Sequence, residues 1–229
     1  MERPRLLVFD LDGTLIDSSL DLCNSVNAAM EGVGKSTLPN AVIASYIGDG
    51  AAMLVRRALG DPGDLDAANP SAGDALFHRA FDLLLAHYRE HKLDNTRLYE
   101  GIPEALASIR QGQNGSARQL VVLSNKPVNP SRVIVEALGL QPYFVQVYGG
   151  NSFPTKKPDP LGARKLLEET RCRPDETVIV GDSANDVLTG RNAGLWTCGV
   201  TYGFAPQTLE MTPPDVVVET PEELGKLFG

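Results

Sequence analysis

The sequence predicts an α/β protein: a doubly wound parallel sheet into which a helical segment has been inserted. Three observations predict it. From residue 97 onward, short apolar runs alternate with amphipathic stretches, the pattern of parallel strands joined by crossover helices. One further apolar run, Leu6-Leu7-Val8-Phe9, stands near the start and is continuous rather than alternating, which suits a strand buried on both faces. Between the two, residues 16–95 read almost purely as helix.

After the first strand, Asp17, Ser18 and Ser19 offer caps for a helix. Leu22, Val26, Ala29, Met30 and Val33 then recur at helical spacing, and Gly32 and Gly34 end the run. A second helix is expected over 40–47, broken by Gly48-Asp49-Gly50. A third follows over 51–59, with Met53, Leu54, Ala58 and Leu59 on its buried side. Residues 60–73 hold several Gly, Pro and Asp and read as a loop. A long helix at 74–92 carries Leu76, Phe77, Phe81, Leu84, Leu85 and Tyr88 at suitable spacing.

From there the pattern alternates. A helix at 103–110 leads through a polar turn at 112–118 to a strand at 119–123; a helix near 130–138 leads to a strand at 145–148. Helix 160–170 precedes strand 177–180, helix 187–193 precedes strand 196–200, and 216–218 adds an edge strand. Residues 1–15 and 96–229 thus make up a core domain, and 16–95 a helical cap domain.

With 229 residues the chain can bury a substantial core. A net charge of -8 argues against a nucleic-acid binder, which would present a basic surface. It leaves anionic substrates open, because a divalent cation and a few placed lysines reverse the local field. Cys23, Cys172 and Cys198 are scattered, odd in number and without metal spacing, as expected of reduced thiols in a cytoplasmic protein. Neither a signal peptide nor a membrane partner is expected: no apolar run approaches the roughly 20 residues that span a bilayer.

Chemistry gathers where strands end. Asp10 and Asp12 follow the first strand two residues apart, so they leave it on one side, with Gly13 directly behind. Two acids beside a buried strand are costly unless a metal or partner charge compensates them. Read alone, Asp-x-Asp-Gly-Thr is also a plain polar turn. However, Ser124-Asn125-Lys126 and Gly181-Asp182-Ser183-Ala184-Asn185-Asp186 likewise close apolar strands, and Lys156-Lys157-Pro158-Asp159-Pro160 lies between them. Open parallel sheets bind ligands outside the carboxyl ends of their strands, so these groups converge on one crevice. The helical insertion leaves the core just after that crevice and is expected to cover it as a lid.

These four ordered motifs resemble those of the haloacid dehalogenase-like (HAD) hydrolases, over nearly the whole chain. The resemblance implies a Rossmann-like core and a phosphatase that works through an aspartyl-phosphate. In it Asp10 is the nucleophile. Asp12 is general acid and then general base, held partly protonated for the first step. Ser124 and Asn125 bind the transferring phosphoryl group, Lys157 neutralises it and braces Asp10, and the pattern selects Lys157 over Lys156. Mg²⁺ is implied as cofactor, held by Asp10, the Asp12 carbonyl and Asp182, with Asp186 acting through water or Lys157. Gly181–Asp186 also reads as a helix N-cap whose acids favour the helix dipole.

Finer details narrow the resemblance. Asp12 is present where haloacid dehalogenases and phosphonoacetaldehyde hydrolases depart, and Gly181-Asp182 stands where sugar phosphomutases carry Glu-Asp. Tyr46-Ile47-Gly48-Asp49-Gly50, the following helix to Leu59, and Gly149-Gly150-Asn151 look like bacterial phosphoglycolate phosphatases. A small phosphorylated acid, 2-phosphoglycolate, is therefore the expected substrate. Arg56 or Arg57 is expected to face its carboxylate, because arginine binds that group in bidentate fashion; two adjacent arginines on a helix equally suit solvent. A phosphatase of other or broad specificity (sugar phosphate, nucleotide, pyrophosphate) and a phosphomutase are the alternatives. The intact Asp10 and Asp12 argue against a non-catalytic binding protein. Gly34-Lys35-Ser36-Thr37 has the ending of a P-loop, but position 29 is Ala29 and the segment follows a helix. Oligomeric state stays open between monomer and homodimer.

Overall fold

The computed structural model describes residues 4–60, 75–111 and 118–229. Its chain divides into two compact units, Met1–Asp17 with Arg97–Gly229, and Ser18–Thr96.

The first unit is built on a six-stranded, wholly parallel sheet, as the sequence predicts. Its strands are β1 (Leu6–Phe9), β4 (Gln119–Leu123), β5 (Gln146–Tyr148), β6 (Thr177–Gly181), β7 (Trp196–Val200) and β8 (Val216–Val218). The order is β5-β4-β1-β6-β7-β8. β1 therefore lies inside, with Leu6 paired to Gln119 on one side and Thr177 on the other, and Phe9 to Val122 and Val180. All four β1 side chains are fully buried, which explains the unbroken apolar run.

Alternation assigns the two faces. Leu7 and Phe9 pack with Ile102, Leu106 and Ile109 of α5 (Ile102–Gln111), Ile134 and Val135 of α6 (Val128–Ala137), and Leu224 and Phe228 of α10 (Pro221–Phe228). Leu6 and Val8 pack on the opposite face with Ala163 and Leu166 of α7 (Leu161–Thr170). On that face α8 (Ala184–Ala193) approaches the sheet closely: a Cβ on its Gly190 would stand 2.6 Å from Ile179. Each fully buried aliphatic side chain contributes about 1.5–3 kcal/mol, and β1 places such side chains in the clusters on both faces of the sheet.

Short elements escaped the sequence reading. β2 (Ile16–Asp17) and β3 (Arg97–Leu98) form a two-residue antiparallel ladder. α9 (Gln207–Met211) and α10 were not foreseen either. α10 begins at Thr220, whose hydroxyl accepts the Glu223 N–H, with Pro221 at the first helical position.

The second unit is helical: α1 (Ser19–Gly32), α2 (Asn40–Ala44), α3 (Ala51–Ala58) and α4 (Ala75–His91). Leu22, Val26, Ala29 and Met30 of α1 meet Phe77, Ala80, Leu84 and Tyr88 of α4 in its core. α2 ends at Ala44, short of the expected residue 47. The buried side of α3 is Met53, Leu54, Val55 and Arg56, whereas Ala58 and Leu59 are only half-buried. Asn27 fixes the chain beyond α1, donating to the Leu38 carbonyl and accepting the Leu38 N–H. The buried Asp21 carboxylate gathers the end of the unit, accepting the main-chain N–H groups and side-chain donors of both Asn95 and Thr96 at 2.8–3.0 Å. These bonds hold its pKa below the ordinary carboxylate value, although burial opposes them.

The expected loop at 60–73 and turn at 112–118 lie outside the described residues, save Gly60 and Arg118. All three cysteines are buried, and none forms a disulfide among the described residues. No helix among the described residues is long and apolar enough to cross a membrane.

Candidate active site

The carboxyl ends of β1, β4 and β6 bring Asp10, Ser124 and Asp182 together in the first unit. Asp10 continues β1, donating its N–H to the Val180 carbonyl at 2.9 Å. Its carboxylate is turned back by the Leu11 N–H, which donates to Oδ1 at 2.7 Å. The same oxygen lies 3.0 Å from Lys157 Nζ, which also donates to Asp186 Oδ1 at 2.6 Å. One buried ammonium thus bridges two buried acids.

Three carboxylates crowd this point. Oxygens of Asp10, Asp182 and Asp186 all lie within 4.8 Å of one another. Burial, and then the nearby Asp186 and Asp10 charges, push Asp182 up to about 8. Asp10 rises to about 6, because burial outweighs the Lys157 charge and Asp186 adds to it. Lys157 is raised by its two acids against the effect of burial. An all-oxygen donor set that holds protons for want of positive charge fits a hard divalent cation. The Asp12 carboxylate is not among these three.

Close approach of backbone shapes the rest. Gly13 has φ +81°, and a Cβ there would overlap the Asp182 carboxylate. Asp182 Oδ2 accepts the N–H groups of Phe204 (2.6 Å) and Ala205 (3.3 Å) from the loop after β7. The Tyr202 hydroxyl of that loop donates to the Thr14 carbonyl at 3.0 Å. Asp186 Oδ2 accepts from the Ser183 N–H and hydroxyl at the start of α8, so Asp186 caps its helix and contacts Lys157 together. A main-chain donor carries no side-chain signature, and sequence reasoning missed this loop.

The loop after β4 departs from expectation. Ser124 is buried, with its hydroxyl accepting the Lys126 N–H at 3.3 Å. The Asn125 side chain does not face the crevice as a free donor: it donates to the Lys157 carbonyl and accepts the Lys157 N–H, both at 3.0 Å. Lys126 donates to both Asp12 oxygens at 3.0 and 3.1 Å, a contact that sequence reasoning missed. The signal was present in Ser124-Asn125-Lys126, but nothing local linked it to a residue 114 positions earlier.

Arg56 and Arg57 both make contacts inside the helical unit. The Arg56 guanidinium lies 4.8 Å from the Phe77 ring centroid and its residue is buried. Arg57 is paired with Asp49 and donates to the Tyr46 carbonyl at 3.0 Å. One cation stacks on a core aromatic and the other ties down the 46–49 turn.

Comparison with known proteins agrees with this arrangement. Residues 7–200 match the family model described as haloacid dehalogenase-like hydrolase. A protein of Chromobacterium violaceum named phosphoglycolate phosphatase is 38% identical over 90% of this chain and 88% of its own length. One of the same name from Vibrio vulnificus is 35% identical over 96% and 94%. Among solved structures, a predicted phosphoglycolate phosphatase from Haemophilus somnus superposes with a TM-score of 0.89 at 28% identity, covering both chains completely. On the family match and these identities, the chain belongs to the haloacid dehalogenase-like hydrolases.

Proposed function

We propose that the protein is a divalent-metal-dependent phosphatase that hydrolyses a small phosphomonoester, 2-phosphoglycolate, through an aspartyl-phosphate on Asp10. One observation carries the chemistry: Asp10 stands at the end of the central strand, flanked by a buried lysine on one oxygen and by two further acids. At neutral pH a carboxylate near 6 is mostly ionised, as a nucleophile requires.

In the first step an Asp10 oxygen bonds to phosphorus as the ester P–O bond breaks, and Asp12 gives its proton to the departing alkoxide. Water then attacks the phosphoryl group, releasing Asp10, and its proton returns to Asp12. Ser124 and the Asn125 main chain supply donors to the phosphoryl oxygens, and Lys157 balances their charge. Mg²⁺, held by Asp10, Asp182 and Asp186 with the Asp12 carbonyl, would supply further neutralisation of those oxygens.

The substrate rests on the relatives, which are named phosphoglycolate phosphatase. Arg56 and Arg57 make contacts within the helical unit, and a broader phosphatase acting on sugar phosphates, nucleotides or pyrophosphate is the second reading. Phosphate release from a substrate panel with Mg²⁺, alongside Asp10→Asn, separates them. Strong preference for 2-phosphoglycolate, lost in the variant, supports the reading. Broad activity lost in the variant leaves the chemistry and removes the substrate. Activity unchanged in the variant overturns the nucleophile.

A further inference from the structure

Lys126 is almost wholly withdrawn from solvent, with 5% of its side chain exposed, and Asp12 retains 13%. Burying an ion pair gains little over an apolar pair of the same volume, because desolvation cancels most of the Coulomb attraction. Compensating Asp12 accounts for a cation here but not for its placement. Geometry does. The ammonium reaches both Asp12 oxygens at nearly equal distance, which fixes the carboxylate plane as well as its position.

The lysine is itself fixed from behind. Its N–H donates to the Ser124 hydroxyl, and its carbonyl accepts the Gly150 N–H at 2.8 Å. A Cβ on Gly149 would overlap the Lys126 carbonyl and the Val128 backbone, and one on Gly150 would overlap the Asn125 carbonyl. Asn151 accepts the Val128 N–H at 2.8 Å. Gly149-Gly150-Asn151 thus serves as a backbone platform on which the Ser124-Asn125-Lys126 loop is seated.

We infer that Lys126 is a positioning residue that aims the Asp12 carboxyl at the leaving oxygen, and that it acts through Asp12 rather than on the phosphoryl group. This rests on the acid–base role proposed above for Asp12. Misplacing a proton donor hurts a poor leaving group far more than a good one, because an aryl oxide such as p-nitrophenolate departs without a proton.

The experiment is kcat/KM, which reports phosphoryl transfer to Asp10, across a series from p-nitrophenyl phosphate to alkyl phosphates. It compares wild type with Lys126→Met, Lys126→Arg, Asp12→Asn and the Asp12→Asn/Lys126→Met double variant. Lys126→Met is expected to lose about tenfold or more on alkyl esters and less than about threefold on the nitrophenyl ester, repeating the Asp12→Asn pattern. The double variant should fall no further than Asp12→Asn, and Lys126→Arg, which keeps the cation, should restore the wild-type dependence. An equal loss on every ester would mean that Lys126 binds the phosphoryl group and would overturn the inference. So would losses that multiply in the double variant. A flat dependence in Asp12→Asn itself would remove the acid role of Asp12 and this inference with it. If Lys126→Met fails to fold, Lys126→Gln replaces it in the single and double variants: a loss equal on every ester, or one that multiplies with Asp12→Asn, rules the positioning role out.

Discussion

The Asn125 carboxamide closes both main-chain hydrogen-bonding groups of Lys157, accepting its N–H and donating to its carbonyl at 3.0 Å each. Two residues 32 apart in sequence are held as if paired in a sheet. The bonds fix the point from which the Lys157 side chain reaches Asp10 and Asp186.

Asn125→Ala should therefore act through Lys157. Two buried main-chain groups lose their partner, at about 1–3 kcal/mol each where water does not replace it. The expected result is a fall in kcat of at least about tenfold, with a lowered melting temperature. Asn125→Asp should be worse than Asn125→Ala, since a carboxylate oxygen would face the Lys157 carbonyl. Phosphate-release kinetics on the two variants, with thermal melts, check the order.

Acidity in the carboxylate cluster sets a pH signature for cation binding. Carboxyls raised to about 6 and about 8 hold protons more tightly in the folded chain than in the unfolded one. Their contribution favours folding at low pH and declines as pH rises from the unfolded range near 4 through 6 and then 8. A divalent cation competes with those protons. The rise in melting temperature on adding Mg²⁺ should thus be larger at pH 8 than at pH 5.5. Asp182→Asn should flatten that difference. An increment independent of pH in the wild type would contradict the protonated state of Asp182.

Stability, not substrate affinity, should register the loss of Arg56. Its guanidinium sits on Phe77 within the helical core, a contact worth about 0.5–2 kcal/mol, with stem packing added. Arg56→Ala should lower the melting temperature while KM for 2-phosphoglycolate stays within about twofold, the limit of uniform binding lost. A tenfold rise in KM with an unchanged melt would return Arg56 to the substrate.

Asp21 makes the helical unit acid-sensitive. Its carboxylate is held below the ordinary range by donors from Asn95 and Thr96. The stability it contributes is complete above the unfolded value near 4 and is lost as pH falls through the lower folded value. Asp21→Asn should remove much of that contribution at neutral pH and flatten the acid limb of the stability curve. Amide exchange of Asn95 and Thr96 reads the effect locally, and protection unchanged in the variant would refute it.

How much of this was legible depended on how each signal is written in the chain. Strands β1, β4 and β6 announced themselves through Leu6–Phe9, Gln119–Leu123 and Thr177–Gly181, because burial on both faces demands unbroken apolar runs. Asp10, Asp182 and Lys157 were legible as polar groups following such runs or standing between them. Lys126 was legible as a residue but not as a contact, since its partner is set by strand order. The Phe204 and Ala205 donors were invisible, being main chain. Arg56 and Arg57 look alike in the sequence, and only the packing of α3 against α4 decides which one is inside. α10 was missed although Thr220 and Pro221 mark its start, because eight residues fall below the length at which periodicity persuades.

The β2–β3 ladder has a genealogical consequence. Asp17 pairs with Arg97, so the helical segment departs from and rejoins the sheet-bearing unit at neighbouring positions. Whatever lies between those two residues can be lengthened, shortened or replaced without shifting the register of a single strand, and doubling a flexible connection costs only about 0.6 kcal/mol. Segments joined this way tolerate exchange. The polar groups at the ends of β1, β4 and β6 can thus be inherited unchanged while the intervening helices are traded as one contiguous stretch of the gene.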